Sequence, residues 1–413
     1  MSQLTQAKTT LKTALGSFRI QRLPLRKSET LQGWDAADEL LIDTLASNHQ
    51  EALEQRKNNT LRMLLINDQF GALATTFNAY KPDSWSDSAI SHSASQFNLN
   101  QNTGTDQKEK TVLTCIASTE KLSGIYSVVI IKIPKTLSLL EQQLISLSHH
   151  VDSDTLIITG GMTKNIHNST LALFEKNIGE TTTSRATKKA RLIFCKVDPN
   201  NHTADVSLLP TRYFAEPLNA ELTSYANGFS RDRLDLGARA MLQAIDEKTL
   251  PDAEKIVDLA CGNGVLGLYA MTQLTNESQQ RNRQRSIDFI DESYMAIAAS
   301  KENYKNIISD ADKKDISPSF NAQDCIKKTN ENGKKTCYDW IICNPPFHIG
   351  TAMDTYIANR MFQQSHAALQ AKGQLWVVAN RHLKYQHQIK KIFNNYKIVL
   401  TNKKFVVITA TKV

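Results

Sequence analysis

Asn344 stands in Asp339-Trp340-Ile341-Ile342-Cys343-Asn344-Pro345-Pro346-Phe347, an apolar strand that runs into an amide, two prolines and an aromatic ring. The prolines stiffen the exit and carry no N–H to compete for the neighbouring carbonyls. The Asn344 side-chain oxygen accepts hydrogen bonds, and Phe347 offers a flat face for stacking a planar base. A planar amine donating to Asn344 and to the Pro345 carbonyl would aim its nitrogen lone pair at an electrophile. Upstream, Ile256-Val257-Asp258-Leu259-Ala260-Cys261-Gly262-Asn263-Gly264 reads as a strand, then a glycine turn that opens a helix. Glycine lets backbone turn sharply and approach a ligand closely. That piece alone also suits a nucleotide dehydrogenase or a plain strand-to-helix turn. Asp291 closes a second strand, where a carboxylate is placed to accept from ribose hydroxyls, and Asp324 follows a third. The polar stretch Thr275–Arg285 explains why the second acid lies further from the glycines than the usual ~20 residues.

These residues need a sheet to position them. Lys255–Leu259, Ile287–Ile290, Ile341–Cys343, Gln374–Ala379 and Phe405–Ala410 read as strands, with a helix from about Val265. Alternating strands and helices predict a parallel, doubly wound sheet. The first half repeats the rhythm, with helical spacing over Leu31–Leu45 and strands at Met63–Ile66, Val112–Ala117, Val128–Ile131, Thr155–Ile158 and Arg191–Cys195. Pro82–Lys110 is rich in Ser, Asn and Gln and reads as a long loop or insertion. The polar, proline-bearing stretch Asp198–Pro217 is the expected junction, giving domains of residues 1–205 and 219–413.

The halves look like copies. Val129–Lys135 lines up with Trp340–Pro346, Thr155–Gly161 with Gln374–Asn380, and Thr187–Val197 with Asn402–Val413, in the same order. In this alignment Gln69 stands where Gly262 stands, and Ile133 where Asn344 stands. The first copy therefore reads as catalytically empty.

Composition narrows the partner. The 413 residues are 41% hydrophobic and 22% charged, an ordinary globular balance, and no apolar run is long enough to span a bilayer. No signal-peptide stretch is expected at Met1–Phe18, and six cysteines without a C-x-x-C pair read as reduced thiols in a cytoplasmic protein that holds no metal. Net charge is +8, but Thr355–Val413 contains no acid and ten cations. A surface of one sign attracts a polyanion, so nucleic acid is the expected partner and a membrane is not. Leu383–Phe393 has the length of a three-turn helix starting near the Asn344 rim, which would bring Arg381, Lys384, Lys390 and Lys391 to phosphate.

The pair Asp-x-x-Cys-Gly-x-Gly and Asn-Pro-Pro-Phe, in this order, resembles S-adenosylmethionine-dependent methyltransferases that modify exocyclic amines. Within them the chain is similar to the RlmG/RsmC ribosomal RNA guanine-N2 methyltransferases. The similarity runs through Leu31–Asp38, Ile66–Leu73, Phe229–Gly237, Asp291–Ala296 and Asn344–His348. Val378–Leu383, Lys390–Phe393 and Asn402–Val407 favour the large-subunit RlmG branch over the small-subunit RsmC branch. The resemblance implies an α/β chain of two tandem Rossmann-like class I methyltransferase domains, the N-terminal one degenerate and the C-terminal one catalytic. It implies S-adenosylmethionine held by Asp258, Cys261, Gly262, Asn263, Gly264, Asp291, Asp324 and Asn344, with Asp291 on the ribose and Asp324 near the adenine. It puts Asn344, Pro345 and Phe347 at the reacting amine, and Phe229, Arg231, Pro346, Phe347, Arg381 and Lys384 on the substrate, a 23S ribosomal RNA, naked or partly assembled.

Ala260 departs from that pattern, standing where the family usually has its first glycine, and is expected to keep a negative φ. Three rival readings remain at this point: a non-catalytic RNA-binding protein with a relict fold, and methylation of a protein glutamine or of a DNA adenine.

Overall fold

The computed structural model describes residues 8–26, 28–49, 53, 62–103, 112–201, 209–276, 283–327, 329, 333, 337–346 and 352–413, the side chains of 276 and 352–354 excepted. The chain divides into two compact units, Met1–Leu209 and Pro210–Val413.

The first unit opens with a hairpin, β1 (Thr10–Thr13) and β2 (Gly16–Arg19), and then builds a sheet. Its strands are β3 (Met63–Ile66), β4 (Asp83–Ser86), β5 (Thr114–Ala117), β6 (Val128–Lys132), β7 (Leu156–Met162), β8 (Thr181–Thr183) and β9 (Ala190–Cys195), in the order β5-β4-β3-β6-β7-β9-β8. The second unit opens with the hairpin β10 (Thr211–Ala215) and β11 (Ala220–Ser224). Its sheet holds β12 (Lys255–Leu259), β13 (Arg285–Asp291), β14 (Ile316–Ala322), β15 (Tyr338–Cys343), β16 (Leu369–Asn380), β17 (Lys397–Thr401) and β18 (Phe405–Thr411), ordered β14-β13-β12-β15-β16-β18-β17. The two orders are the same. In both, only the strand next to the far edge runs antiparallel to its neighbours.

Burial on both faces explains why the central strands are continuously apolar. Every residue of β3 and of β6 is buried, Lys132 included. One apolar layer covers each face of each sheet: Met63, Leu65 and Ile130 on one face of the first, Leu64, Ile66 and Val129 on the other. In the second, Ile256 and Trp340 face one layer, Val257 and Ile341 the other. The chain reverses direction across each sheet between its first strand and its fourth, β12 and β15 in the second unit. Ligands of open α/β sheets bind outside the carboxyl ends of the strands at such a switch point.

The copies match in detail. Ser88 and Ser293 cap the helices Ala89–Asn102 and Tyr294–Ile307 through their side chains. Asn98 donates to the carbonyls of Gln21 and Phe70 and accepts from the Gln21 N–H. Asn303 donates to those of Thr223 and Asn263 and accepts from the Thr223 N–H. One buried amide thus ties hairpin to glycine loop in each unit.

Three expectations change. Of the polar stretch Pro82–Lys110, residues 104–110 lie outside the described residues, and the rest is not a loop: it holds β4 and the helix Ala89–Asn102, the counterparts of β13 and its helix. Its Ser91, Ser95 and Asn98 are buried, and the Asn98 amide is satisfied by distant backbone, so a polar helix face packs inward. The helix expected over Leu31–Leu45 spans Ala36–Asn48, because Asp35 caps it by accepting from the Ala37 and Asp38 N–H groups. Ala260 takes φ +58, not a negative value. The strand-to-loop turn demands a left-handed residue here: the first copy has Asn67 at φ +63, a type that tolerates it, whereas alanine carries about 1–2 kcal/mol of strain.

Candidate active site

The glycine loop after β12 is shaped by two left-handed glycines with different reasons. Gly264, at φ +83, lies so close to Ser300 that an added Cβ would sit 2.8 Å from the serine's own Cβ. Gly262, at φ +54, has no heavy atom of the described residues beyond its chain neighbours within 4 Å of such a Cβ. Packing requires the first; the second leaves an open cradle over half-buried backbone. Gly262 N–H donates to Asp291 Oδ2 at 3.0 Å, while Asp291 Oδ1 accepts from Ser293 N–H at 3.0 Å. The second-strand acid is thereby locked to the loop.

Asp258 is fully buried beneath the loop, its Oδ2 accepting from Gly267 N–H at 2.8 Å and its Oδ1 without a partner. Burial drives its pKa up, the Gly267 hydrogen bond draws it down and the nearby Asp291 charge raises it again, to about 8. The folded chain therefore holds this proton up to about pH 8, and the unfolded chain releases it near 3.8. Between those values the native state binds more protons, so this group lowers stability as pH rises through the window. Asp258→Asn keeps an acceptor for Gly267 and removes that cost. Its melting temperature should rise relative to the wild type by more at about pH 8.5 than at about pH 5. A difference independent of pH would show that Asp258 is ionised in the folded protein.

Asn344 follows β15, whose Cys343 pairs with Leu259 at the carboxyl end of β12. Its Nδ2 donates to Asp235 Oδ2 at 3.3 Å, and its Oδ1 is buried with no partner among the described residues. Asp235 caps the helix Leu236–Glu247, accepting from Ala238 N–H through the same Oδ2 at 2.9 Å. The amide is thus held by its donor end, with the acceptor oxygen left over. A buried acceptor without a donor costs about 1–3 kcal/mol, a cost that an incoming amine N–H removes. Pro345 is buried and Pro346 exposed, as a substrate-facing edge requires; Phe347 lies outside the described residues.

Other expected residues sit differently. Asn263 turns its amide nitrogen to Tyr213 OH at 3.0 Å and Ser224 Oγ at 3.2 Å, so its side chain anchors the hairpin. Cys261 is buried, with its thiol 3.6 Å from Ser300 Oγ and its pKa pushed well up by burial, a packing residue and no nucleophile. The Asp324 carboxylate forms a two-pronged ion pair with Arg360. Arg360 therefore does not belong among the ten free cations, and Lys412 is also engaged, donating to the Ala367 and Leu369 carbonyls. Phe229 is 59% exposed, Arg231 donates to Thr211 Oγ1, and Arg381 and Lys384 are exposed at the end of β16. Lys390 and Lys391 are a correction. They occupy the last turn of the helix Tyr385–Phe393, whose end packs Phe393 on His366 in the last turn of the helix Ala352–Ala368. These crossover helices run back against the parallel strands, so both lysines lie at the edge away from Asn344.

Asp235 and Arg360 were not singled out from sequence. An acid just before a helix reads as a cap and nothing more, and Arg360 meets an acid 36 residues away.

The first unit shows what the same frame holds without these groups. Strand pairing sets Met63 against Val128 and Ile66 against Ile131, as Ile256 is set against Trp340 and Leu259 against Cys343. Lys132, not Ile133, therefore stands at the Asn344 position. Its ammonium lies 2.7 Å from Asp35 and 2.8 Å from Asp38, where Asn344 meets Asp235. Burial works against that charge, but Asp38 and Asp35 outweigh it and raise the pKa. Ser86 stands in for Asp291, and Asp68 in the loop takes over the Asp258 task by accepting from Ala74 N–H at 2.8 Å.

Residues 8–199 match the family described as RLMG N-terminal domain, and residues 219–409 match the methyltransferase small domain. Over 406 residues the chain is 39% identical to the Ribosomal RNA large subunit methyltransferase G of Aeromonas hydrophila, covering 98% of this chain and 99% of that one. This chain belongs to the ribosomal RNA large subunit methyltransferase G family. A second member, from Pseudoalteromonas atlantica, is 38% identical over 98% of this chain and 100% of its own. Among solved structures, a T. thermophilus 16S rRNA N2 methyltransferase (RsmC) in complex with AdoMet and guanosine shares the fold, with a TM-score of 0.70 at 16% identity over 98% of both chains. The family's two-part organisation is thus the two units seen here, a loop with an open glycine cradle in the second and a lysine ion pair at the matching place in the first. Among the described residues no cluster could hold a metal ion, and no helix is long and apolar enough to cross a membrane.

Proposed function

We propose that the chain transfers a methyl group from S-adenosylmethionine to the exocyclic N2 amine of a guanine in 23S ribosomal RNA, and that only the second unit does so. The buried, unpartnered Asn344 oxygen at the switch point carries this reading. S-adenosylmethionine, when bound, supplies a methyl group on a sulfonium, already a good leaving arrangement. The residues present suit it: the Gly262 cradle leaves room beside backbone, Asp291 accepts from hydroxyls, and the Asp324–Arg360 pair stands after the third strand.

Asn344 Oδ1 and the Pro345 carbonyl take the two amine hydrogens and turn the nitrogen lone pair toward the loop. Asp235 fixes the amide so that its oxygen, not its nitrogen, faces the acceptor. Orientation of this kind accounts for much of an intermolecular barrier, and no strong general base is needed, because the methylated amine is acidic enough to lose its proton to water. The reacting base must leave any stack, so unpaired RNA is the better substrate. The relatives' name as large-subunit ribosomal RNA methyltransferases and the cationic rim favour RNA over a protein amide or DNA. Purified protein and radiolabelled cofactor, offered naked 23S RNA, naked 16S RNA and assembled large subunits from a strain lacking the gene, should label naked 23S RNA best. Labelling of 16S RNA alone would move the chain to the small-subunit activity.

A further inference from the structure

Resting on the reading that the acceptor is a base in an RNA strand, we propose that the rim between β16, the β17–β18 turn and the start of the helix Leu236–Glu247 is the track for the nucleotides flanking that base. Arg381 and His382, in the short turn after β16, share an open cavity with Lys403 and Lys404. A second cavity includes the same two lysines and continues over Leu236 and Arg239. The two share Lys403 and Lys404, and the second reaches Leu236, the chain neighbour of Asp235, which holds Asn344. A strand lying along them reaches the acceptor oxygen without crossing the sheet.

The charge on this surface is of one sign. No acid lines either cavity, and Arg239, Arg381, Lys403 and Lys404 form no ion pair among the described residues. The turn that presents the lysines is preformed: Asn402 Oδ1 accepts from the N–H groups of Lys404 at 3.0 Å and Phe405 at 2.8 Å, and Arg381 donates to the Asn402 carbonyl at 3.2 Å. Cations on a fixed turn reach phosphate with less loss of chain freedom than cations on a mobile one. Sequence favours Lys390 and Lys391 for this work, but the strands carry those two to the opposite edge.

The test uses the full-length protein and a short single-stranded oligoribonucleotide in filter binding across a salt series. Three forms are compared: wild type, R239A/K403A/K404A and, as a control of similar charge loss, K390A/K391A. All substituted side chains are exposed, and cofactor affinity confirms that each variant is folded. The rim variant should bind RNA about tenfold or more weakly, with the slope of log affinity against log salt flattened by about 2, while the control keeps its slope. Equal slopes in rim variant and wild type, or equal losses in both variants, overturn the track. Equal slopes with intact methyl transfer to RNA would overturn the track alone; absence of RNA binding and transfer in the wild type would overturn the proposed function with it.

Discussion

Asn344→Ala should reduce methyl transfer by about 10²–10³-fold while leaving cofactor affinity within roughly a few-fold. Removing one positioned group that holds the reacting centre costs about 2.7–4 kcal/mol of barrier. Alanine deletes the acceptor oxygen and also frees Asp235 Oδ2, but that oxygen still caps its helix through Ala238, so the fold has no reason to fail. Calorimetric titration with S-adenosylmethionine beside a tritium-transfer assay separates binding from chemistry. Near-normal turnover would remove Asn344 from the mechanism.

Gly262→Val should act on the other half of the reaction. Valine at φ +54 is strained, and its methyls enter the open space above the loop. Displacing a ligand by about the width of a methyl group costs on the order of 100-fold, so cofactor binding should fall by at least that. Among the described residues nothing beyond its chain neighbours lies within 4 Å of the new Cβ, which confines the damage to the site. Equilibrium dialysis should find one cofactor per wild-type chain and none per variant chain. A site persisting in the variant would place a cofactor in the first unit, against the Lys132–Asp35–Asp38 cluster that fills the matching position.

Much of this was legible in the sequence. The glycine loop, the acid of the second strand and Asn344-Pro345-Pro346 are local in sequence, and their spacing follows from alternating strands and helices. The duplication was legible too, because three strand matches in one order are hard to produce by chance. Its register was not. Ile133-Pro134 looks like Asn344-Pro345, yet a sheet counts residues by hydrogen-bonded pairs, and those pairs set Lys132 opposite the first strand's end. A slip of one residue exchanges an apolar side chain for a buried ammonium, and with it the reason the first unit lacks an acceptor oxygen.

The polar helix Ala89–Asn102 was missed for a related cause. Composition measures how polar a segment is, not whether its polar atoms meet partners, and the partners of Asn98 lie at Gln21 and Phe70. Lys390 and Lys391 were overvalued because charge along the chain says nothing about which end of a crossover helix faces the site. Lys403 and Lys404 belong to the same acid-free run and line a cavity with Arg381 at the carboxyl end of β16.

The most direct test of the central claim is mass-spectrometric nucleoside analysis of large-subunit RNA from a strain lacking the gene. That RNA should lack one N2-methylguanosine, restored by the wild-type gene and not by the Asn344→Ala form. An unchanged N2-methylguanosine content in that RNA would contradict it.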